Sequence, residues 1–162
     1  MFVYVIRHAW AEEADGEQFP DDDLRPLTAE GRERFAAVVK TLAQRDLGPQ
    51  VIATSPLVRC RQTADVLAEL LPKKPTVVEL DALRPGSDFA SLAAWTAEQG
   101  ETDVAWVGHA PDVSRLAAAL IGQGDCLLRF AKGTVAAVRF DEAFNRGRGE
   151  LVWLATAKIL GC

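Results

Sequence analysis

Three short apolar runs constrain this chain most: FVYVI at 2–6, VIATS at 51–55 and DVAWVG at 103–108. Each is too short for a core helix and rich in β-branched or aromatic residues. Each therefore reads as a strand buried on both faces. The segments between them carry helical spacing. In LTAEGRERFAAVVKTLAQRDLGP, Thr28 is placed as N-cap, Phe35, Val38, Val39 and Leu42 form the buried stripe, and Gly48-Pro49 stops the helix. After the second run, Ser55 is expected to cap a helix with Pro56 in its first position and Pro72 beyond its end. Residues 76–80 predict a weaker strand, 88–99 a helix ending at Gly100, and PDVSRLAAALIG a helix between Pro111 and Gly122.

Strands alternating with helices predict an α/β fold, a three-layer sandwich with a mostly parallel central sheet and helices on both faces. TVAAVRF and ELVWLAT, joined by a Gly- and Arg-rich turn, predict a C-terminal antiparallel hairpin at the sheet edge. The length suits one domain over residues 1–162. Residues 11–27, acidic and holding two prolines, read as a surface loop.

The net charge of −5 argues against nucleic acid as the main partner. No apolar run reaches the ~18–20 residues of a membrane span. The five apolar residues before Arg7 are too few for a signal-peptide core, and no basic leader precedes them. Cys60, Cys126 and Cys162 are odd in number and widely spaced, which suits free thiols in a reducing cytoplasm. A cytoplasmic monomer or weak dimer is expected.

Ligands of such sheets bind beyond the carboxyl ends of the strands. The chain has two histidines, and both fall there: His8 after the first run, beside Arg7, and His109 after DVAWVG. A single histidine so placed is more often structural, but two of two with an adjacent arginine favour a site. Arg59 lies in the first turns of the helix after VIATS, off its apolar stripe, and adds a bidentate donor for an anion at a helix start. Arg61 reads as solvated and unpaired. Two arginines and two histidines on one patch suit a dianion. A neutral His8 nitrogen would attack phosphorus in line, while Arg7, Arg59 and a protonated His109 neutralise the equatorial oxygens. Water would then hydrolyse the phosphohistidine, and no metal or other cofactor is required.

VIRHA, SPLVRCRQTA and VGHAP, in this order and spacing, resemble the three signatures of the histidine phosphatase superfamily, with its phosphoglycerate-mutase-like fold. The short chain and the RPLTAEG segment look most like its SixA-type phosphohistidine phosphatase branch, and the resemblance spans roughly residues 2–122. It implies His8 as the phosphorylated nucleophile and Arg7, Arg59 and His109 as the phosphate pocket; Ser55 is counted with the substrate-binding residues. Ala9 departs from the glycine usual in the first motif and is tolerable if the backbone avoids positive φ. A glutamate proton donor has no secure match. Glu79, Asp81 and Asp15 are the candidates, each with a bland reading as a solvated carboxylate, as is the DDD run at 21–23.

Lack of an acid tilts toward P–N over P–O substrates, because the leaving nitrogen is protonated more easily. The expected substrate is phosphohistidine on a protein, such as a phosphorelay or phosphotransfer carrier. The alternatives are a small phosphorylated molecule handled by a phosphatase or mutase of the same fold, and a catalytically inactive phosphate- or phosphoprotein-binding domain. Cysteine-phosphatase spacing fails, since Val66 stands six residues after Cys60 and Lys132 six after Cys126. Nucleotide-binding loops and zinc spacing are missing from the sequence.

Overall fold

A computed structural model describes residues 1–122 and 126–162. The strands are β1 (Phe2–Arg7), β2 (Val51–Thr54), β3 (Thr76–Glu79), β4 (Val104–Gly108), β5 (Val135–Arg139) and β6 (Glu150–Ala155). The longer helices are α1 (Ala29–Ala43), α2 (Val58–Leu70), α3 (Phe89–Glu98) and α4 (Asp112–Leu120). The strands form one sheet in the order β3-β2-β4-β1-β5-β6. Four neighbouring strands, β3 to β1, run parallel, and β5 and β6 join antiparallel at one side, as the hairpin reading expected. The mixed α/β architecture anticipated from the alternation of runs is the one observed.

Each sheet face has its own core. Phe35, Val38, Val39 and Leu42 of α1 and Cys60, Ala64 and Leu67 of α2 pack against Tyr4, Ile6, Ile52, Ala105 and Val107. Leu92 of α3 and Val113, Leu116 and Leu120 of α4 cover the other face with Val3, Val5, Ala53 and Trp106. Successive strand residues alternate between the two clusters, the geometry that makes a doubly covered strand uniformly apolar. The fully buried Trp106 satisfies its indole N–H on Thr96 Oγ1 at 3.1 Å. No helix among the described residues is long and apolar enough to cross a membrane.

Thr28 caps α1 as expected, accepting the Gly31 N–H at 2.8 Å. Helix α2 differs from expectation. It starts at Val58 with Leu57 as N-cap and no side-chain cap, so Ser55 and Pro56 lie before it. The Ser55 hydroxyl is instead turned to His109. The acidic segment 11–27 is pinned by an Ala11–Leu27 bridge and holds one short 3-10 turn, Asp22–Leu24.

Gly31 answers a packing need at the entry of α1. A Cβ there would collide with the Trp10 backbone oxygen and with Thr28 Oγ1 at 2.8 Å. Glycine to alanine at an open helix position stabilises by about 1 kcal/mol. Here overpacking against backbone should reverse the sign. Gly31→Ala is expected to lower stability by about 1–3 kcal/mol in urea unfolding; a rise in midpoint would show that α1 shifts freely.

Candidate active site

The geometry of the site begins with strand pairing. β1 and β4 are adjacent and parallel, with Arg7 opposite Gly108. The next residue on each strand is a histidine, and the His8 N–H donates to Gly108 O at 2.9 Å. The two imidazoles consequently share one sheet edge, with ring centroids 5.9 Å apart. β2 flanks β4 on its other side, with Thr54 opposite Val107, and the Ser55 N–H continues that ladder onto Val107 O at 3.0 Å. Ser55 Oγ then lies 3.0 Å from His109 Nε2.

His8 Nδ1 donates to its neighbour's carbonyl, Ala9 O, at 2.7 Å. That bond places the proton on Nδ1 and leaves the Nε2 lone pair unengaged. Ala9 is fully buried, its φ is not positive, and its N–H donates to Thr63 Oγ1 at 3.0 Å. The extra methyl group thus meets no backbone obstacle. Thr63 in turn donates to Arg59 O at 2.7 Å. One threonine, a helical turn after Arg59, ties the first motif to the second.

Arg59, off the apolar stripe of its own helix, is nonetheless buried and only 5% exposed. Its Nη1 donates to Asp22 O at 2.8 Å and its Nη2 pairs with Asp22 Oδ2 at 3.0 Å. Arg7 is held similarly, with Nη1 on Phe130 O at 2.7 Å. In both arginines the Nε–H is buried and has no partner among the described residues. The remaining such atom, Thr134 Oγ1, belongs to the residue whose carbonyl accepts the Arg7 N–H. An unpaired buried donor costs about 1–3 kcal/mol. Two guanidinium groups carry that cost near two imidazoles, an arrangement chemically suited to receive an anion.

Electrostatics keep both rings neutral in the absence of a ligand. Burial lowers the His8 pKa to about 3, against a smaller raising effect of the Ala9 hydrogen bond, with Arg59, His109 and Arg7 lowering it further. Burial and then Arg59 bring His109 to about 4, opposed by Asp112, a Leu83 backbone hydrogen bond and Asp23. His109 is therefore neutral near pH 7, whereas the sequence reading expected it protonated. Burial also lowers the pKa of Arg7.

The three carboxylates considered as acids lie in other company. Glu79 pairs with Arg61 at 3.1 Å and Asp81 with Arg84 at 2.9 Å, while Asp15 accepts the Glu17 N–H at 2.8 Å. No hydrogen bond or ion pair described joins any of them to His8, His109 or the site arginines. Arg61, read as unpaired, in fact bridges Asp65 and Glu79, because its helix position faces both. Asp22, within the DDD run read as solvated, pairs with a site arginine, while Asp112 and Asp23 act on His109 through their charge. The Asp22 pKa is lowered, first by the Arg25 hydrogen bond and also by Arg59. Nothing in a loop sequence signals that contact. Thr63 was more legible, since it stands four residues after Arg59 on the same helix. Cys60 is fully buried, its Sγ 3.5 Å from His109 Nδ1, and burial pushes its thiol up to about 12, which makes it a packing contact for that ring.

A histidine held neutral by the fold makes stability depend on pH with a definite sign. Its folded pKa lies below the ordinary value near 6.5, so the unfolded chain takes up protons first. The contribution is full above pH ~6.5 and is lost as pH falls from there towards about 3 for His8. Each such group contributes a slope of up to about 1.4 kcal/mol per pH unit. Urea unfolding between pH 7 and 4.5 should show this loss. The slope should be shallower in His8→Gln, and an unchanged slope would show that His8 charges in the folded protein.

Residues 3–112 match the family model described as histidine phosphatase superfamily (branch 1). An uncharacterised protein of Picosynechococcus sp. (strain ATCC 27264 / PCC 7002 / PR-6) is 35% identical over 145 residues, covering 86% of this chain and 85% of its own length. Phosphohistidine phosphatase SixA of Escherichia coli (strain K12) is 26% identical over 156 residues, covering 94% and 92%. Among solved structures, that of the protein histidine phosphatase SixA complexed with tungstate superposes with a TM-score of 0.83 at 25% identity, over 99% of both chains. The motif match over most of the chain and the shared architecture assign this protein to one family: it belongs to branch 1 of the histidine phosphatase superfamily.

Proposed function

We propose that this phosphatase hydrolyses phosphohistidine on a protein through a phosphorylated His8. The observation that carries the chemistry is the His8 Nδ1–H bond to Ala9 O, which leaves Nε2 as a neutral nucleophile beside two buried arginine Nε–H donors without partners. In the first step the Nε2 lone pair forms a bond to phosphorus while the bond to the substrate imidazole nitrogen breaks. The bonding pair leaves with that nitrogen, which takes a proton from solvent, and the water that attacks in the second step returns one to solvent. Arg7, Arg59 and His109 hold the equatorial oxygens, and Ser55 orients His109 by its 3.0 Å contact. The arriving dianion favours a proton on His109, since it adds negative charge beside a ring otherwise depressed by Arg59. In the second step water attacks phosphorus, the P–Nε2 bond breaks, and inorganic phosphate departs as His8 regains its lone pair.

The choice of a P–N substrate rests on the carboxylates. Glu79 and Asp81 are committed to Arg61 and Arg84, and Asp22 is held ionised by arginines. An alkoxide leaving group gains about 10²–10⁴-fold from a positioned acid, whereas an imidazole nitrogen is basic enough to leave with less help. The similarity to SixA, a phosphohistidine phosphatase in Escherichia coli, supports the same substrate class.

His8→Ala is expected to abolish turnover with an unchanged circular dichroism spectrum, and labelled substrate should leave acid-labile phosphate on the wild type at His8. A folded variant that retains turnover would remove His8 as nucleophile. Arg59→Ala should lower kcat/KM by about 10²–10³-fold, roughly 3–4 kcal/mol of transition-state stabilisation. A loss below tenfold would place the dianion elsewhere. Phosphohistidine protein should also be preferred over sugar phosphates; a steep preference for the sugar phosphates would overturn the substrate class while leaving the pocket intact.

A further inference from the structure

Beside the site runs a groove of about 500 Å³ whose character differs from that of the chain as a whole. Its lining includes Arg34, Arg129, Lys132 and Lys158, together with Trp10 and Ile159, and no carboxylate side chain among the described residues. The whole chain carries a net charge of −5. Arg25, Arg59, Arg61, Arg84, Arg115 and Arg139 all sit in ion pairs. Arg129, Lys132 and Lys158 form no ion pair among the described residues. Arg34 lies 4.2 Å over the Trp10 ring and donates to Cys162 O at 3.0 Å, so it too meets no carboxylate side chain. Ile159, 74% exposed, adds apolar surface to the groove.

The groove and the phosphate pocket share a wall. Phe130 O anchors Arg7 and the Gly133 N–H donates to His8 O at 3.1 Å, while Arg129, Ala131 and Lys132 of the same segment line the groove. Trp10 follows His8 by two residues and its ring packs against Gly133, where a Cβ would come within 2.9 Å. A protein docked in the groove would therefore rest on the segment 129–133 that also holds Arg7 and the His8 backbone. Asp22 on Arg59 and Asp23 on Arg84 make another part of the surface acidic, and Glu12, Glu13 and Glu30 line a smaller recess that shares Trp10, Arg34 and Lys132 with the groove, so the groove is bounded by negative charge along that edge. This polarity favours one orientation of a charged partner over its reverse.

We propose that the groove is the docking surface for an acidic segment of the protein that carries the phosphohistidine, with carboxylates seated on Arg129, Lys132 and Lys158. The inference rests on the protein-borne phosphohistidine reading above. The probes are two synthetic phosphohistidine peptides, one with glutamates flanking the phosphorylated residue on both sides and one with glutamines at those positions. The control is free phosphoramidate, which is too small to reach the groove.

Wild type should process the glutamate peptide with a kcat/KM about fivefold to twentyfold higher, the sum of a few exposed charge pairs. The preference should vanish at about 1 M salt, where the screening length is about 3 Å. In Arg129→Glu/Lys132→Glu/Lys158→Glu the preference should disappear or reverse while phosphoramidate turnover is unchanged. Equal rates on both peptides in wild type, or a preference that survives the triple variant, overturn the docking surface but leave the phosphohistidine reading standing. Hydrolysis of a sugar phosphate with neither peptide processed overturns that reading and the docking surface together. Self-association in low salt that the triple variant abolishes assigns the groove to a second copy of this acidic chain and likewise overturns the proposal.

Discussion

The parallel register between β1 and β4 is the constraint on which the rest depends. Arg7 stands opposite Gly108, so the chain leaves both strands at the same level and the following histidines arrive side by side. In a sheet a register slip of one residue would turn every side chain to the opposite face. Here that would exchange the residues of two separate cores, since Val3 and Val5 belong to one cluster and Tyr4 and Ile6 to the other. The packing energy of both faces therefore holds the distance between His8 and His109. The spacing of the two imidazoles is maintained by core residues away from the sheet edge.

The pocket assembled at that edge collects positive charge in a buried place, and the chain limits the cost in three ways. Both imidazoles remain neutral. Backbone carbonyls of Phe130 and Asp22 take one Nη of each arginine. The carboxylate of Asp22 neutralises Arg59 from a half-exposed position on the loop. What remains is the pair of unpaired Nε–H groups, a cost retained where an oxyanion can relieve it. Asp22 is a loop carboxylate that braces Arg59 and is itself kept ionised, first by its hydrogen bond with Arg25 and also by Arg59.

The differences between sequence expectation and structure have a common physical origin. Ser55 looked like a helix cap because serine before proline at a helix start usually is one. Its hydroxyl was drawn instead to a histidine 54 residues away. Arg59 was expected on the same edge as the histidines, but the helix's own residues carry no sign that Asp22 of the loop 11–27 would brace it. Arg61 looked unpaired because Glu79 reaches it from β3, although Asp65, four residues on in the same helix, is a partner that helical spacing could have signalled. The contacts of Ser55 with His109, Arg59 with Asp22 and Arg61 with Glu79 are distant in sequence, and local patterns carry no information about such partners.

Much was nonetheless legible in the amino-acid order. Runs of β-branched and aromatic residues a few positions long, alternating with helical stripes, determine an α/β sheet because no other arrangement buries both patterns. Chemistry-bearing residues at the ends of such runs must emerge on one edge, which is why Arg7, His8 and His109 could be read as neighbours. Only the tertiary structure decided how those groups are charged and braced. Whether an imidazole is neutral, whether a guanidinium is capped by Asp22, and whether Lys132 and Lys158 gather into one groove depend on burial and on approach through space. Desolvation and Coulomb forces act through space, and chain order specifies such distances only after every strand has found its neighbour.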